Sequence, residues 1–503
     1  MKVALPSRRT SAWAVVLGLC LTGSLAASPS SAQEPVTSTV KWDACPDDVA
    51  ARTAPTVLEC ATLSVPRDYA ETDGARTDVM ISRLASTKPE KRRGMLMLNP
   101  GGPGGSGLPL PAQLVARGLP ASVLDSYDLI GMDTRGVGHS SKISCGITTE
   151  TPYIANVPPY AIDDAAVLAQ AKVAKTVADQ CARHDEGLLR HLTTANIARD
   201  IDFVRDALGE EKTSYLGYSY GTALGAAYTS MFPERSDRIV LDSNLSDTYF
   251  HRADLRRFAY GMEKAFPDFA KWAAARHESY GLGRTPAQVR STYFALAERL
   301  DDEPLEELDG SLFRLVTFGS LYNASRYPTL AQQWQGVKLG DGSAARHMRE
   351  TAPSTGLAPS PVDNALSAFL AVTCNDSEWP KGADAYRRGV AQDRARYPLM
   401  GASTANITPC AFWPHAPAEP PVTVNDDGPR NILLVQNLRD PATPHPNSVT
   451  LRQKFGDRTK LLTIDDGGHG AYAFGSNSCA LNTTTRYLVD GDMPRADAFC
   501  AAD

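Results

Sequence analysis

Thr213-Ser214-Tyr215-Leu216-Gly217-Tyr218-Ser219-Tyr220-Gly221-Thr222-Ala223-Leu224-Gly225 is the stretch on which the reading of this chain turns. A short β-like run enters Gly217-Tyr218-Ser219-Tyr220-Gly221, and the small residues Ala226 and Ala227 follow as helix. A strand that turns this sharply into a helix strains its central residue, and glycines two positions to either side relieve the crowding. The pattern predicts a nucleophile elbow, with the Ser219 hydroxyl held clear of a sheet where a base and a substrate carbonyl can reach it. A bare G-x-S-x-G recurs by chance in roughly one chain of this length in five to ten, since about 7% of residues are glycine. The flanking sequence has to supply the rest.

Working outward, residues 62–66 and 77–84 read as opening strands around a turn at Asp73-Gly74, after an extended N-terminus over 33–50. Residues 94–99 form a continuous apolar run of the kind found in buried strands. The run breaks into Pro100-Gly101-Gly102-Pro103-Gly104-Gly105-Ser106-Gly107. A second buried strand, 127–133, leads into Thr134-Arg135-Gly136-Val137-Gly138-His139-Ser140. Helical periodicity covers 164–187 and 195–209, and residues 238–242 make the strand after the elbow. This alternation predicts an α/β chain with a mostly parallel central sheet flanked by helices.

From about residue 245 the pattern becomes helical, over 253–277, 286–300, 312–322, 365–372 and 383–394. Pro- and Gly-rich joints fall at 336–342, 353–361 and 414–421, and strands return at 431–436 and 460–464. The expected organisation is a targeting segment over 1–32, core over 33–245, a mainly helical cap over 246–425 and the rest of the core over 426–503.

A serine nucleophile needs a base to take its proton and an acid to orient that base. On such a sheet the order is Ser, then Asp or Glu, then His, each at a strand's C-terminal end. Strand 431–436 runs into Asn437-Leu438-Arg439-Asp440-Pro441, and strand 460–464 into Asp465-Asp466-Gly467-Gly468-His469. Ser219, Asp440 and His469 fit that order, with Asp242 as the rival acid and His139 as the rival histidine near the mouth. The oxyanion donors are expected at the N–H of Tyr220 and in the glycine turn at Gly102. A phosphate loop is excluded there because no Gly-Lys-Ser/Thr follows.

Net charge is −6, and without residues 1–32, which carry Lys2, Arg8 and Arg9, it is −9. With no basic run, nucleic acid and anionic membranes are not expected partners. Lys2, Arg8 and Arg9 precede an apolar stretch over 12–27 and a small-residue site at Ser30-Ser31-Ala32, which reads as a cleaved secretory signal. The Arg8-Arg9 pair leaves general and twin-arginine export both open. Beyond Cys20 an even set of cysteines remains, as in disulfide-bonded secreted chains. Nearest-neighbour pairing gives Cys45–Cys60, Cys145–Cys181, Cys374–Cys410 and Cys479–Cys500. No zinc-ligand spacing occurs, so neither a metal nor another cofactor is expected.

The segments 99–107, 133–140 and 198–202, with Gly217-Tyr-Ser-Tyr-Gly-Thr222 and Asp440-Pro-Ala-Thr-Pro444, together resemble the secreted tripeptidyl aminopeptidases. Those are α/β-hydrolase serine peptidases related to prolyl aminopeptidase, and the likeness extends over nearly the whole chain after residue 32. One departure is Pro100, which stands where prolyl aminopeptidases carry histidine, so release of single prolines is not implied. The resemblance implies an α/β-hydrolase fold with an inserted cap. It also implies release of tripeptides from free peptide N-termini through an acyl-enzyme on Ser219. A secreted monomer is expected. Recognition of the α-ammonium requires an anion, and Cys374-Asn375-Asp376-Ser377-Glu378-Trp379 offers Asp376 and Glu378. Asp376 can equally cap a local turn beside a disulfide. Trp379 and Trp413 are expected to pack. An esterase with the same triad, a prolyl-aminopeptidase-like enzyme and a non-catalytic binding protein are the competing readings.

Overall fold

Ten strands form one sheet in the order β1-β2-β3-β5-β4-β6-β7-β8-β9-β10. In chain order they are β1 Asp43–Ala44, β2 Glu59–Pro66, β3 Arg76–Leu84, β4 Met95–Asn99 and β5 Asp128–Met132. They continue with β6 Thr213–Tyr218, β7 Ser236–Asp242, β8 Ile432–Arg439, β9 Thr459–Gly467 and β10 Ala498–Cys500. The first three and the β3–β5 pair run antiparallel, and every other pairing is parallel. The computed structural model describes residues 40–148, 151–153, 155–350 and 362–503. The chain divides into Met1–Thr37 and Ser38–Asp503. The targeting segment expected over 1–32 and the joint expected over 353–361 lie outside the described residues.

The central strands β4 to β8 are largely buried on both faces, which is why they read as nearly unbroken apolar runs. Met95, Met97, Ile130, Ile239 and Leu434 point into one core cluster. Their neighbours Leu96, Leu98, Leu129, Val240 and Leu433 point into the other. The period-two alternation of a strand thus divides each apolar run between two layers.

Between β7 and β8 the chain passes through a helical insertion that includes helices Arg252–Ala274, Pro286–Asp302, Gly310–Ser320, Tyr327–Leu339, Val362–Asp376 and Asp384–Arg396. Phe266, Phe269, Tyr293, Phe313 and Trp334 meet ring to ring inside it. The long helix crosses the β8 turn at Gly261, where a Cβ would lie 2.1 Å from the Pro441 carbonyl oxygen. A glycine at that point lets the insertion sit directly on the turn.

Two expectations need correction. The N-terminal stretch is not simply extended: Asp47–Thr53 is helical, with Asp47 and Asp48 in its first turn and Arg52 in its last, matching the helix dipole. The joint expected over 336–342 begins later, because helix Tyr327–Leu339 runs on until Gly340 ends it in the left-handed conformation. Disulfides join Cys45–Cys60, Cys145–Cys181, Cys374–Cys410 and Cys479–Cys500. Among the described residues no helix is long and apolar enough to cross a membrane.

Candidate active site

Ser219 sits between β6 and helix Tyr220–Met231 with φ 56° and ψ −123°. For a residue with a Cβ this backbone costs about 1–3 kcal/mol, a strain typical of functional sites. The neighbouring glycines make it possible. A Cβ on Gly217 would lie 2.5 Å from the Gly221 carbonyl oxygen, and one on Gly221 would lie 2.8 Å from Asn99 Oδ1. Ser219 donates its N–H to the Asp242 carbonyl at 3.0 Å, tying the turn to β7. Tyr220 opens the helix, so its N–H has no intrahelical partner.

The glycine turn after β4 lies against this elbow. Gly101 and Gly102 take φ 94° and 112°, and a Cβ on Gly101 would stand 2.5 Å from the Tyr218 carbonyl oxygen and 3.2 Å from Tyr220 N. The turn is braced from behind by Asp133, which is fully buried. Its Oδ1 accepts the Ser106 hydroxyl at 2.6 Å and the Gly107 N–H at 2.9 Å, and its Oδ2 accepts the His139 N–H at 2.8 Å. Arg135, two residues on, is buried too and holds Asp200 through two hydrogen bonds of 2.7 and 2.6 Å.

Asp440 and His469 follow β8 and β9. The His469 Nδ1 lies 2.9 Å from Asp440 Oδ2 and 3.0 Å from Oδ1. Asp440 is fully buried and also accepts the N–H groups of Ala442 and Thr443 at 2.8 Å each and the Thr443 hydroxyl at 2.9 Å. A carboxylate held in this position accepts the His469 Nδ1–H and so fixes that proton on Nδ1, which leaves Nε2 free to accept. Burial opposes charging of His469, but the Asp440 carboxylate beside it, with a further contribution from Asp242, raises its pKa above the ordinary imidazole value.

The rivals fall elsewhere. The Asp242 oxygens accept backbone N–H groups of Ala471 and Tyr472 rather than the imidazole. His139 turns its Nε2 toward Asp48, 3.0 Å away on the N-terminal helix. Asp465 pairs with Arg439 at 2.5 Å.

Of the two proposed cap anions, Glu378 is exposed, whereas Asp376 is buried at the end of helix Val362–Asp376. Asp376 Oδ1 accepts the Thr194 N–H at 2.8 Å, and Oδ2 accepts the Thr194 hydroxyl at 2.6 Å. That hydroxyl lies 2.7 Å from the Tyr220 hydroxyl. Asp376 therefore caps helix Thr194–Ala207, which is distant in sequence, and lines a small crevice with Thr248, Tyr249 and Glu419. Burial pushes its pKa up to about 7, against the pull of the Thr194 hydrogen bonds. Trp379 and Trp413 are buried, and the indole of Trp413 donates to Asn375 Oδ1 at 2.7 Å.

Three contributors were missed in the sequence. Thr443 stands 3.3 Å from His469 Nδ1 while bonding Asp440, and its place three residues after the acid was a readable signal. Tyr322, from the insertion, accepts the His469 N–H on its carbonyl at 2.9 Å. Asp133 brackets the glycine turn from within the segment 133–140, through Ser106 and Gly107. Nothing in the residues around Tyr322 announced it.

The sequence from 94 to 476 matches the family described as alpha/beta hydrolase fold. The chain is 32% identical to the tripeptidyl aminopeptidase of Streptomyces coelicolor over 92% of its own length and 86% of that protein. It is 30% identical to the serine protease Hip1 of Mycobacterium tuberculosis, over 92% of this chain and 91% of the relative. A Mycobacterium tuberculosis protein named carboxylesterase B is also 30% identical, over 92% and 89%. The chain belongs to the α/β-hydrolase family of the tripeptidyl aminopeptidases, and it is an enzyme of the serine hydrolase class.

Proposed function

We propose that this chain is a secreted serine exopeptidase that removes tripeptides from peptides with a free N-terminus, with Ser219, His469 and Asp440 as its triad. The observation that carries the reading is the pair of short contacts from His469 Nδ1 to the buried Asp440 carboxylate, at the same sheet end as the strained Ser219. His469 Nε2 takes the Ser219 proton as Oγ attacks the scissile carbonyl, and the imidazolium rests against Asp440. The N–H groups of Gly102 and Tyr220 receive the oxyanion. His469 then returns the proton to the leaving amine, and water repeats the cycle on the acyl-enzyme.

Residues 246–425 act as the cap that limits what reaches Ser219. Asp376 is proposed as the partner of the substrate α-ammonium, with Glu378 as the alternative. Three extended residues reach about 10 Å. One tyrosine side chain and two hydrogen bonds of 2.7 and 2.6 Å link Tyr220 to Asp376, a span of the same order. Secretion is supported by the disulfides and by the composition of residues 1–32.

The test compares a free tripeptide chromogenic substrate with its N-acetylated form, alongside labelling of Ser219 by a serine-reactive phosphonate. Free-amine preference with labelling lost in Ser219→Ala is the expected result. Similarity to a relative named carboxylesterase B favours the second reading, an acyl esterase. Faster cleavage of a simple ester than of the free peptide would decide for it.

A further inference from the structure

We propose that Asp242 is a positioning residue for this reaction: one side chain and its backbone hold the nucleophile and the base in mutual register without relaying a proton. The proposal rests on the assignment of Ser219, His469 and Asp440 given above. Asp242 is the last residue of β7, and it is fully buried. Its carbonyl accepts the Ser219 N–H at 3.0 Å. Its carboxylate accepts the Tyr472 N–H at 2.6 Å and the Ala471 N–H at 3.0 Å, immediately beyond His469. Ser243, held at φ 63°, accepts the Gly470 N–H on its hydroxyl at 2.8 Å and donates that hydroxyl to Asp242 at 3.2 Å.

The segment after His469 thus has three consecutive N–H groups bound to the end of β7. The elbow side completes the clasp, because Tyr218 donates its hydroxyl to the Tyr472 carbonyl at 2.9 Å. No sheet hydrogen bond could do this, since β9 is separated from β6 by β7 and β8. Each of the two reacting side chains sits on a turn, and turns follow their own preferences unless something rigid couples them. Asp242 lies on the strand between them and contacts both turns. The arrangement also explains why a carboxyl group is buried here although Asp440 already serves the imidazole.

The charge of Asp242 acts on His469 as well, and Asp440, Thr443 and Tyr322 complete that ring's surroundings. Asp242 itself is surrounded by His469, Ser243 and the buried Tyr218 phenol. Burial pushes its pKa up to about 7, opposed by the two backbone donors, so its charge is complete only above neutral pH.

The experiment is Asp242→Asn, read by kcat, KM, phosphonate labelling and the pH profile of kcat/KM. A carboxamide keeps the shape but turns an NH₂ toward backbone N–H donors and removes the charge. The expected result is a loss in kcat of roughly 10- to 100-fold, nearly unchanged KM, retained labelling, and an acid limb moved to lower pH. An acid limb that stays put would reduce Asp242 to a structural anchor and overturn the proposal. A variant as inactive as Asp440→Asn would make Asp242 the orienting acid, and would sink the proposal and the triad assignment together. If Asp242→Asn does not fold, Ser243→Ala carries the test, with kcat expected to fall several-fold at constant KM and an unchanged kcat counting against the clasp. Activity persisting in Ser219→Ala would instead remove the underlying triad reading, whatever Asp242 does.

Discussion

Tyr322 and His469 meet edge to face, with ring centroids 4.8 Å apart and planes at 61°, while the Tyr322 carbonyl accepts the His469 N–H at 2.9 Å. The insertion therefore touches the candidate base directly. Tyr322→Ala should lower kcat about 10-fold by freeing the imidazole, and Tyr322→Phe should leave kcat near wild type. Equal losses in the two variants would assign the effect to the hydroxyl instead of the ring.

The pH dependence follows from the direction of the His469 shift. Burial disfavours its charged form, but Asp440 and Asp242 outweigh burial and raise the pKa. The base works neutral, so kcat/KM should fall as pH drops through a value above the ordinary imidazole pKa of about 6.5. The same shift means that His469 stabilises the fold most below its unfolded pKa, a contribution lost as pH rises through the folded pKa. An acid limb below pH 6 would contradict the shift.

Gly101 has no room for a side chain, since a Cβ would lie 2.5 Å from the Tyr218 carbonyl oxygen. Gly101→Ala should displace the turn from the elbow and lose oxyanion stabilisation. The expected cost is about 2.7–4 kcal/mol in the transition state, or 10²–10³ in kcat. Stopped-flow acylation with a chromogenic tripeptide reads it directly.

Asp376 and Glu378 separate by substrate. Asp376→Asn should raise KM for free-amine tripeptides and leave N-acetylated ones unaffected, if its carboxylate meets the ammonium. Because Asp376 also holds Thr194, thermal unfolding of the same variant needs to be followed. An equal rise in KM for both substrates would leave only the helix-capping role. Glu378→Gln is the exposed control.

Arg135 and Asp200 form an ion pair with no exposed side-chain surface. Arg135→Leu leaves the Asp200 carboxylate buried with only the Tyr69 hydroxyl, 2.8 Å away, as a side-chain donor. Removing one partner of such a pair costs about 3–5 kcal/mol, measurable as a lowered denaturant midpoint. The double replacement Arg135→Leu with Asp200→Leu should recover part of the loss.

Most of the sheet was legible because burial on both faces writes continuous apolar runs, and residues 94–99 and 431–436 are of that kind. Helix Tyr327–Leu339 is absent from the helices expected from sequence, and the joint expected over 336–342 overlaps its end, because Gly336 reads as a breaker whereas the structure stops the helix only at Gly340. The N-terminal helix was hidden by its brevity: Asp47–Thr53 has too few turns to show a period.

What the sequence by itself determined is the local grammar of the site. Gly217 and Gly221 frame Ser219, and Asp440 and His469 each end an apolar run in the right order. Those features are local, since a strained turn needs its glycines nearby and a buried strand needs its apolar residues in succession. Only the tertiary structure decided what the remaining polar residues do. It separated Asp440 from Asp242, two aspartates at strand ends that look alike in sequence, by giving one an imidazole and the other backbone N–H groups. It put Tyr322 against His469 and joined Asp376 to Thr194. Partners brought together by long loops leave no periodicity, because their contact depends on packing that no short stretch encodes.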